Sequence, residues 1–126
     1  MRIGILTSGG DCPGINATIR GVCKTAISHY GMEVYGIRSG FRGLLDNDII
    51  PLDENSLTGL LSMGGTILGT SREKPFKNRA NVPVSEDKPA MMLKTIRECK
   101  LDCVVCIGGN GTQKTAAKLA ATGVNV

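Results

Sequence analysis

Tryptophan is absent from this chain, and only two tyrosines and two phenylalanines occur among its 126 residues. That leaves too little ring surface for a platform that stacks bases, and it requires an aliphatic core. A long apolar run is missing as well. No stretch approaches the roughly 18 residues of a membrane span, and no charged-then-apolar signal segment opens the chain, so the expectation is a cytoplasmic protein with no membrane partner. A strong charge of one sign is also lacking. The net charge of +4 favours anionic ligands but is too modest and too scattered for a nucleic-acid surface, so small phosphorylated metabolites fit it better. Internal repeats, low-complexity segments and linkers do not occur, and at the size of one domain residues 1–126 do not demand a second.

The cysteines form an odd set of five, Cys12, Cys23, Cys99, Cys103 and Cys106, lying mostly inside predicted helices or strands. That usage suits reduced thiols, and no disulfides are expected. Cys103 and Cys106 have the spacing of metal ligands. In a strand, however, an offset of three sends two side chains to opposite faces, which favours buried thiols.

Hydrophobic periodicity organises the rest. Arg2 to Thr7 reads as a short buried strand. Ile19, Val22, Cys23, Ala26 and Ile27 then mark one apolar helix face, with Gly31 as its stop. Met32 to Arg38 offers a second strand, broken by Gly40-Phe41-Arg42-Gly43, and Ile49 to Leu52 a further short one. Glu54 to Met63 carries a helical face ended by Gly64-Gly65-Thr66, and residues 70–81 read as a polar loop. Asp87 to Lys100 is predicted helical, Leu101 to Ile107 a fully apolar strand, and Gly111 to Ala121 a last helix. Val124 to Val126 resembles the start of another strand. Such alternation predicts an α/β fold, a three-layer parallel sheet with helices on both faces, in which ligands bind at the carboxyl ends of the strands.

Two glycine-rich turns fall at that end: Thr7 to Ala17, and Ile107-Gly108-Gly109-Asn110-Gly111-Thr112. Each follows an apolar run and precedes a helix pattern. A helix N-terminus offers N–H groups without intrahelical partners and a partial positive charge, and glycine lets a phosphate approach them. Two such turns suggest one site for a polyphosphate, although many α/β folds use glycine there for tight packing alone. Asn110 could face a phosphate-bound metal, and Thr112 could cap the helix or bond a phosphate oxygen. Arg72 lies in a basic loop with Lys74, Lys77 and Arg79, against the single acid Glu73. A guanidinium there suits phosphoryl transfer, though a charged loop is more often merely solvated.

The turn sequences go beyond generic spacing. Gly9 to Ala17 resembles the Gly-Gly-Asp-x-Pro-Gly-x-Asn-Ala turn that opens members of the 6-phosphofructokinase family. Gly64-Gly65-Thr66-Ile67-Leu68-Gly69-Thr70-Ser71-Arg72 is similar to that family's next motif, and Ile107 to Thr112 to its Ile-Gly-Gly-Asp-Gly-[ST] turn. The resemblance runs along essentially the whole chain, in order, and implies the Rossmann-like N-terminal part of such an enzyme. It implies magnesium-assisted transfer of a phosphoryl group from ATP, or from pyrophosphate in some members, to the 1-hydroxyl of fructose 6-phosphate in glycolysis. Carried over residue by residue, Gly10, Phe41, Arg72, Glu73 and Gly109 to Thr112 would hold the donor, with Arg72 stabilising the transferring group. A homo-oligomer is expected of the full-length form.

Three departures from the family pattern accompany the resemblance. Asn110 replaces the Asp that supports magnesium, keeping an oxygen and losing a charge. Arg20 and Lys24 fall where bacterial members place two arginines that bind a regulatory nucleotide, and Lys24 breaks that pair. The catalytic base belongs to a Thr-Ile-Asp-Asn-Asp segment that would follow Val126, so the 126-residue chain alone is expected to bind donor without turnover. Gly111 matches the small residue of ATP users, since pyrophosphate users commonly carry an Asp there. The alternatives are a pyrophosphate-dependent enzyme, a non-catalytic phosphate-binding or regulatory module, and a protein like the NAD and lipid kinases. The Gly9 to Ala17 and Gly64 to Arg72 motifs speak against the last of these.

Overall fold

A computed structural model describes residues 1–8, 15–57, 68–70, 75 and 88–126. The elements are β1 (Arg2–Thr7), α1 (Ile15–Tyr30), β2 (Glu33–Ile37), α2 (Phe41–Asp46), β3 (Ile49–Leu52), α3 (Glu54–Leu57), α4 (Lys88–Glu98), β4 (Cys103–Ile107) and α5 (Asn110–Ala121). The four strands form one sheet in the order β3-β2-β1-β4.

The central strand β1 alternates its side chains between two cores. Ile3 and Ile5 pack with Ile15, Ile19, Cys23 and Ala26 of α1 and with Leu57 of α3. Leu6 points the other way, toward Ile37, Phe41 and Leu44, Met92 and Ile96 of α4, Val104, and Leu119 of α5. The period of two in β1 thus requires a helical layer on each face. Cys103 packs against the first core and Cys106 against the second, so these thiols lie on opposite faces as their spacing predicts.

β1 runs parallel to both β2 and β4. The sheet is not parallel throughout, however: β3 pairs antiparallel with β2, Val34 opposite Leu52 and Ile37 opposite Ile49. Residues 38–48 are too short for the crossover of about a dozen residues or more that a parallel return needs. That connection is also not the plain break expected at 40–43, because α2 starts at Phe41. Phe41, Leu44 and Leu45 sit at helical spacing on its buried side. Gly40 at φ 61 swings the chain into the helix, and Asn47 ends it in the left-handed region at φ 55. Thr95 Oγ1 donates to the Leu44 carbonyl, tying α4 to α2.

The predicted helix at Glu54–Met63 is seen as α3 over Glu54–Leu57, and its remainder lies outside the described residues, as does most of the loop expected at 70–81. Val124–Val126 has no strand assignment, but Asn125 accepts a 2.8 Å bond from the Val104 N–H. At the amino end of the sheet Arg2 is fixed by Glu33 at 2.6 Å, its backbone N–H by Asp102 at 2.7 Å, and its guanidinium lies 5.5 Å from the Tyr35 ring centre.

Burial raises the Cys23 thiol to about 11 and the Cys106 thiol to about 12, from an ordinary 9.0. Both stay neutral to higher pH in the folded chain than in the unfolded one. The stability from burying them is complete below the unfolded value near 9.0 and is lost as pH rises through 11 and 12. Urea unfolding of the chain is expected to lose stability between pH 9 and 11. A Cys23→Ala, Cys106→Ala double variant, less stable at pH 8 from the cavities it opens, should show a flatter decline over the same range.

Candidate functional site at the carboxyl edge

Parallel pairing brings the carboxyl ends of β2, β1 and β4 to one edge of the sheet. Thr7 is opposite Ile107, and the next residue, Ser8, donates its N–H to the Ile107 carbonyl at 3.0 Å. The chain entering the first glycine turn and the chain entering the second therefore leave the sheet side by side. Thr7, Ser8, Asn16 and Thr112 are all buried, and among the described residues Thr95 is the one other buried polar side chain.

The glycines of the second turn divide into two kinds. A Cβ on Gly108 would lie 2.5 Å from the Ser8 carbonyl oxygen and 2.7 Å from Thr112 Cβ, so Gly108 is required for packing. A Cβ on Gly109 or on Gly111 would meet nothing within 4 Å. Packing does not call for glycine at these two positions, and both face open space. Gly109 stands at the N-cap of α5 with no side-chain cap, and the first turn of α5 holds no acidic residue. The N–H groups of that turn lack intrahelical acceptors and no Cβ at Gly109 or Gly111 obstructs them, an arrangement suited to an anion.

A third strand of the edge closes the site. Ser39 (φ 59) and Gly40 (φ 61) follow β2 in left-handed conformations, which for serine signals a position held by its surroundings. The Ser39 N–H donates to the Leu68 carbonyl at 2.7 Å, and Thr7 Oγ1 donates to the Gly69 carbonyl at 3.0 Å. Leu68 is buried in the α1-side core. Residues 68–70 are thereby fastened to the ends of β1 and β2, and Arg72 follows two residues later in the sequence.

Of the residues singled out from sequence, Gly109, Asn110, Gly111 and Thr112 come together at this edge, the first three exposed and Thr112 buried. Phe41 begins α2 beside it, with its ring in the α4-side core at 1% exposure. Gly10, Arg72 and Glu73 lie outside the described residues. Arg20 and Lys24 are elsewhere: with Glu54 and Leu57 they line a separate cavity of about 180 Å³ between α1 and α3. A metal would find one neutral oxygen on Asn110, and no group of three His, Cys, Asp or Glu side chains suited to hold it among the described residues. Thr7 and Gly108 belong to the two turn motifs without having been singled out as site residues, and Ser39 belongs to no motif, yet all three carry the geometry of the edge. Only the threonine at the end of an otherwise apolar strand gave a signal.

The phosphofructokinase family model matches residues 2–126. The chain is 73% identical over 126 residues to the ATP-dependent 6-phosphofructokinase 3 of Bacteroides thetaiotaomicron, covering 100% of this chain and 37% of that one. It is 40% identical over 120 residues to a pyrophosphate–fructose 6-phosphate 1-phosphotransferase of Streptomyces coelicolor, covering 95% of this chain and 33% of that one. The crystal structure of Pichia pastoris phosphofructokinase in the T-state superposes with a TM-score of 0.82 at 35% identity, covering 94% of this chain and 12% of that one. The chain belongs to the phosphofructokinase family and spans about a third of the length of the curated relatives it matches.

The division among the glycines is testable without any ligand. Gly108→Ala is expected to destabilise the chain by about 1–3 kcal/mol through overpacking, because the Ser8 backbone has no room to yield. Gly109→Ala and Gly111→Ala should fall within about 0.5 kcal/mol of the parent or slightly above it in urea unfolding.

Proposed function

From membership of this family we propose that the chain forms the donor-binding part of an enzyme that transfers a phosphoryl group to the 1-hydroxyl of fructose 6-phosphate, with ATP as the donor. The observation that carries the reading is the open, uncapped first turn of α5, lined by Gly109 and Gly111 and set beside the exit of β1. The terminal phosphates lie at that turn, where backbone N–H groups and the helix dipole offset their charge. Thr112 braces the turn from beneath, and Arg72 takes the transferring group. Positioning and charge stabilisation are the main demands of phosphoryl transfer, and backbone donors meet them without reorganising as the group moves.

ATP is favoured over pyrophosphate by Gly111, which leaves room beside the turn for the nucleotide's α-phosphate. Magnesium, when bound, neutralises charge on the phosphates. Asn110 would give it a single uncharged oxygen, leaving the phosphates to carry most of its binding. The protein works in the cytoplasm as a homo-oligomer, and residues beyond this third of the relatives' length supply the base and the acceptor pocket.

Calorimetric titration of the chain with ATP and magnesium is expected to show binding. Gly109→Val or Gly111→Val should weaken it at least about tenfold, by blocking access to the backbone donors, with little change in thermal midpoint. Asn110→Asp should lower the magnesium concentration needed for half-saturation. For turnover, the polypeptide purified from its source is assayed with fructose 6-phosphate. Faster formation of fructose 1,6-bisphosphate with ATP than with pyrophosphate is expected, and no product with either donor would reject the reading.

A further inference from the structure

Asn110 precedes Gly111, and this is the only Asn-Gly pair in the chain. Both residues are exposed, and the Cα of Gly111 has open space around it. Gly111 is the second residue of α5, so its N–H is one of those without an intrahelical acceptor, and Gly109 leaves the helix start without a side-chain cap. These features place a carboxamide and an unencumbered backbone nitrogen in adjacent residues, with no side chain at 111 to hinder their approach.

We propose that Asn110 is a self-modification site, converted in the folded protein from the amide to the carboxylate. The Gly111 nitrogen, losing its proton to water or hydroxide, bonds to Asn110 Cγ. The Cγ–Nδ2 bond breaks, the side-chain nitrogen leaves as ammonia, and a five-membered imide remains. Water then adds to one imide carbonyl and opens the ring, giving aspartate at 110 or its backbone-isomerised form. The net change is one water consumed and one ammonia released, with no oxidant, reductant or enzyme. The proximity of the two groups makes the step unimolecular, and the positive end of the α5 dipole stabilises both the deprotonated nitrogen and the carboxylate product. Opening the first turn, which the attack requires, is the least costly local motion of a helix.

The aspartate form places an acid in the first turn of α5, where the unmodified chain has none. Resting on the proposed donor site, this gives the metal on the donor a charged ligand in place of a neutral one, so the modification tunes the magnesium requirement as the protein ages.

The test is incubation of the folded chain at pH 8.5 in ¹⁸O-labelled water, followed by peptide mass mapping. Label is expected at residue 110 before Asn16, Asn47 or Asn125, at a rate within about tenfold of that in urea, because opening the terminal turn of a helix costs less than opening its interior. Gly111→Ala should slow the reaction at least about tenfold at unchanged thermal midpoint, since a methyl group obstructs ring closure and tightens the helix. No label at 110 in the folded chain, or an equal rate in Gly111→Ala, would overturn the proposal. The aspartate product, separated by anion exchange, should bind ATP at a lower magnesium concentration than the parent, and an equal requirement would overturn its link to the donor. If neither form binds ATP, the donor reading fails while the label still decides the modification.

Discussion

The registration of β1 against β4 is the constraint on which the rest of the carboxyl edge depends. Because Thr7 pairs with Ile107, Ser8 and Gly108 emerge together, and the Ser8 N–H can reach the Ile107 carbonyl. A slip of one residue would turn Leu6 and Val104 out of the α4-side core and Ile5 out of the α1-side core, so both hydrophobic layers defend the alignment. The glycine at 108 is the consequence: two chains leaving adjacent parallel strands and crowding against the first turn of α5 have no room for a Cβ. The packing that fixes the fold therefore also fixes where the N–H groups of α5 point.

Around that seam the structure separates charge from openness. The amino end of the sheet carries Arg2, Glu33, Tyr35 and Asp102 in a partly solvated network, whose ion pair contributes at most about 1 kcal/mol. The carboxyl edge described here has buried hydroxyl and amide groups and exposed glycines, without an acid in the first turn of either α1 or α5. An anion approaching the first turn of α5 meets backbone donors and a helix end.

How much was legible in the sequence follows from what each signal encodes. Ile19, Cys23 and Ala26 repeat at helical spacing, and the periodicity that placed them on one face of α1 is the one that buries them. The alternation in β4 correctly sends Cys103 and Cys106 to different cores. Periodicity carries no strand direction, so the alternation predicts a parallel sheet, and the shortness of 38–48 and the turn at Ser39-Gly40 make β3 its antiparallel exception. α2 hid behind its own glycines: Gly40 and Gly43 look like breakers, yet one turns the chain and the other allows close packing against Arg38. At the site, motif reading found Gly109 to Thr112, where glycine spacing is the signal. Ser39 lies in no motif, and although Thr7 opens the first, the roles of both rest in an N–H and a hydroxyl reaching residues far away in sequence, which no motif encodes.

The pairing at the centre of the sheet joins segments 100 residues apart, as the bond between Arg2 and Asp102 marks. On a ribosome adding about 5–20 residues per second, β1 is complete roughly 5–20 s before β4 exists to cover its second edge. Over that interval β1, already joined to β2, presents a bare row of N–H and C=O groups and part of each core to its surroundings, and the newborn chain is most vulnerable to misassociation then. The strand around which the finished site is organised is thus also the one most in need of shelter during synthesis.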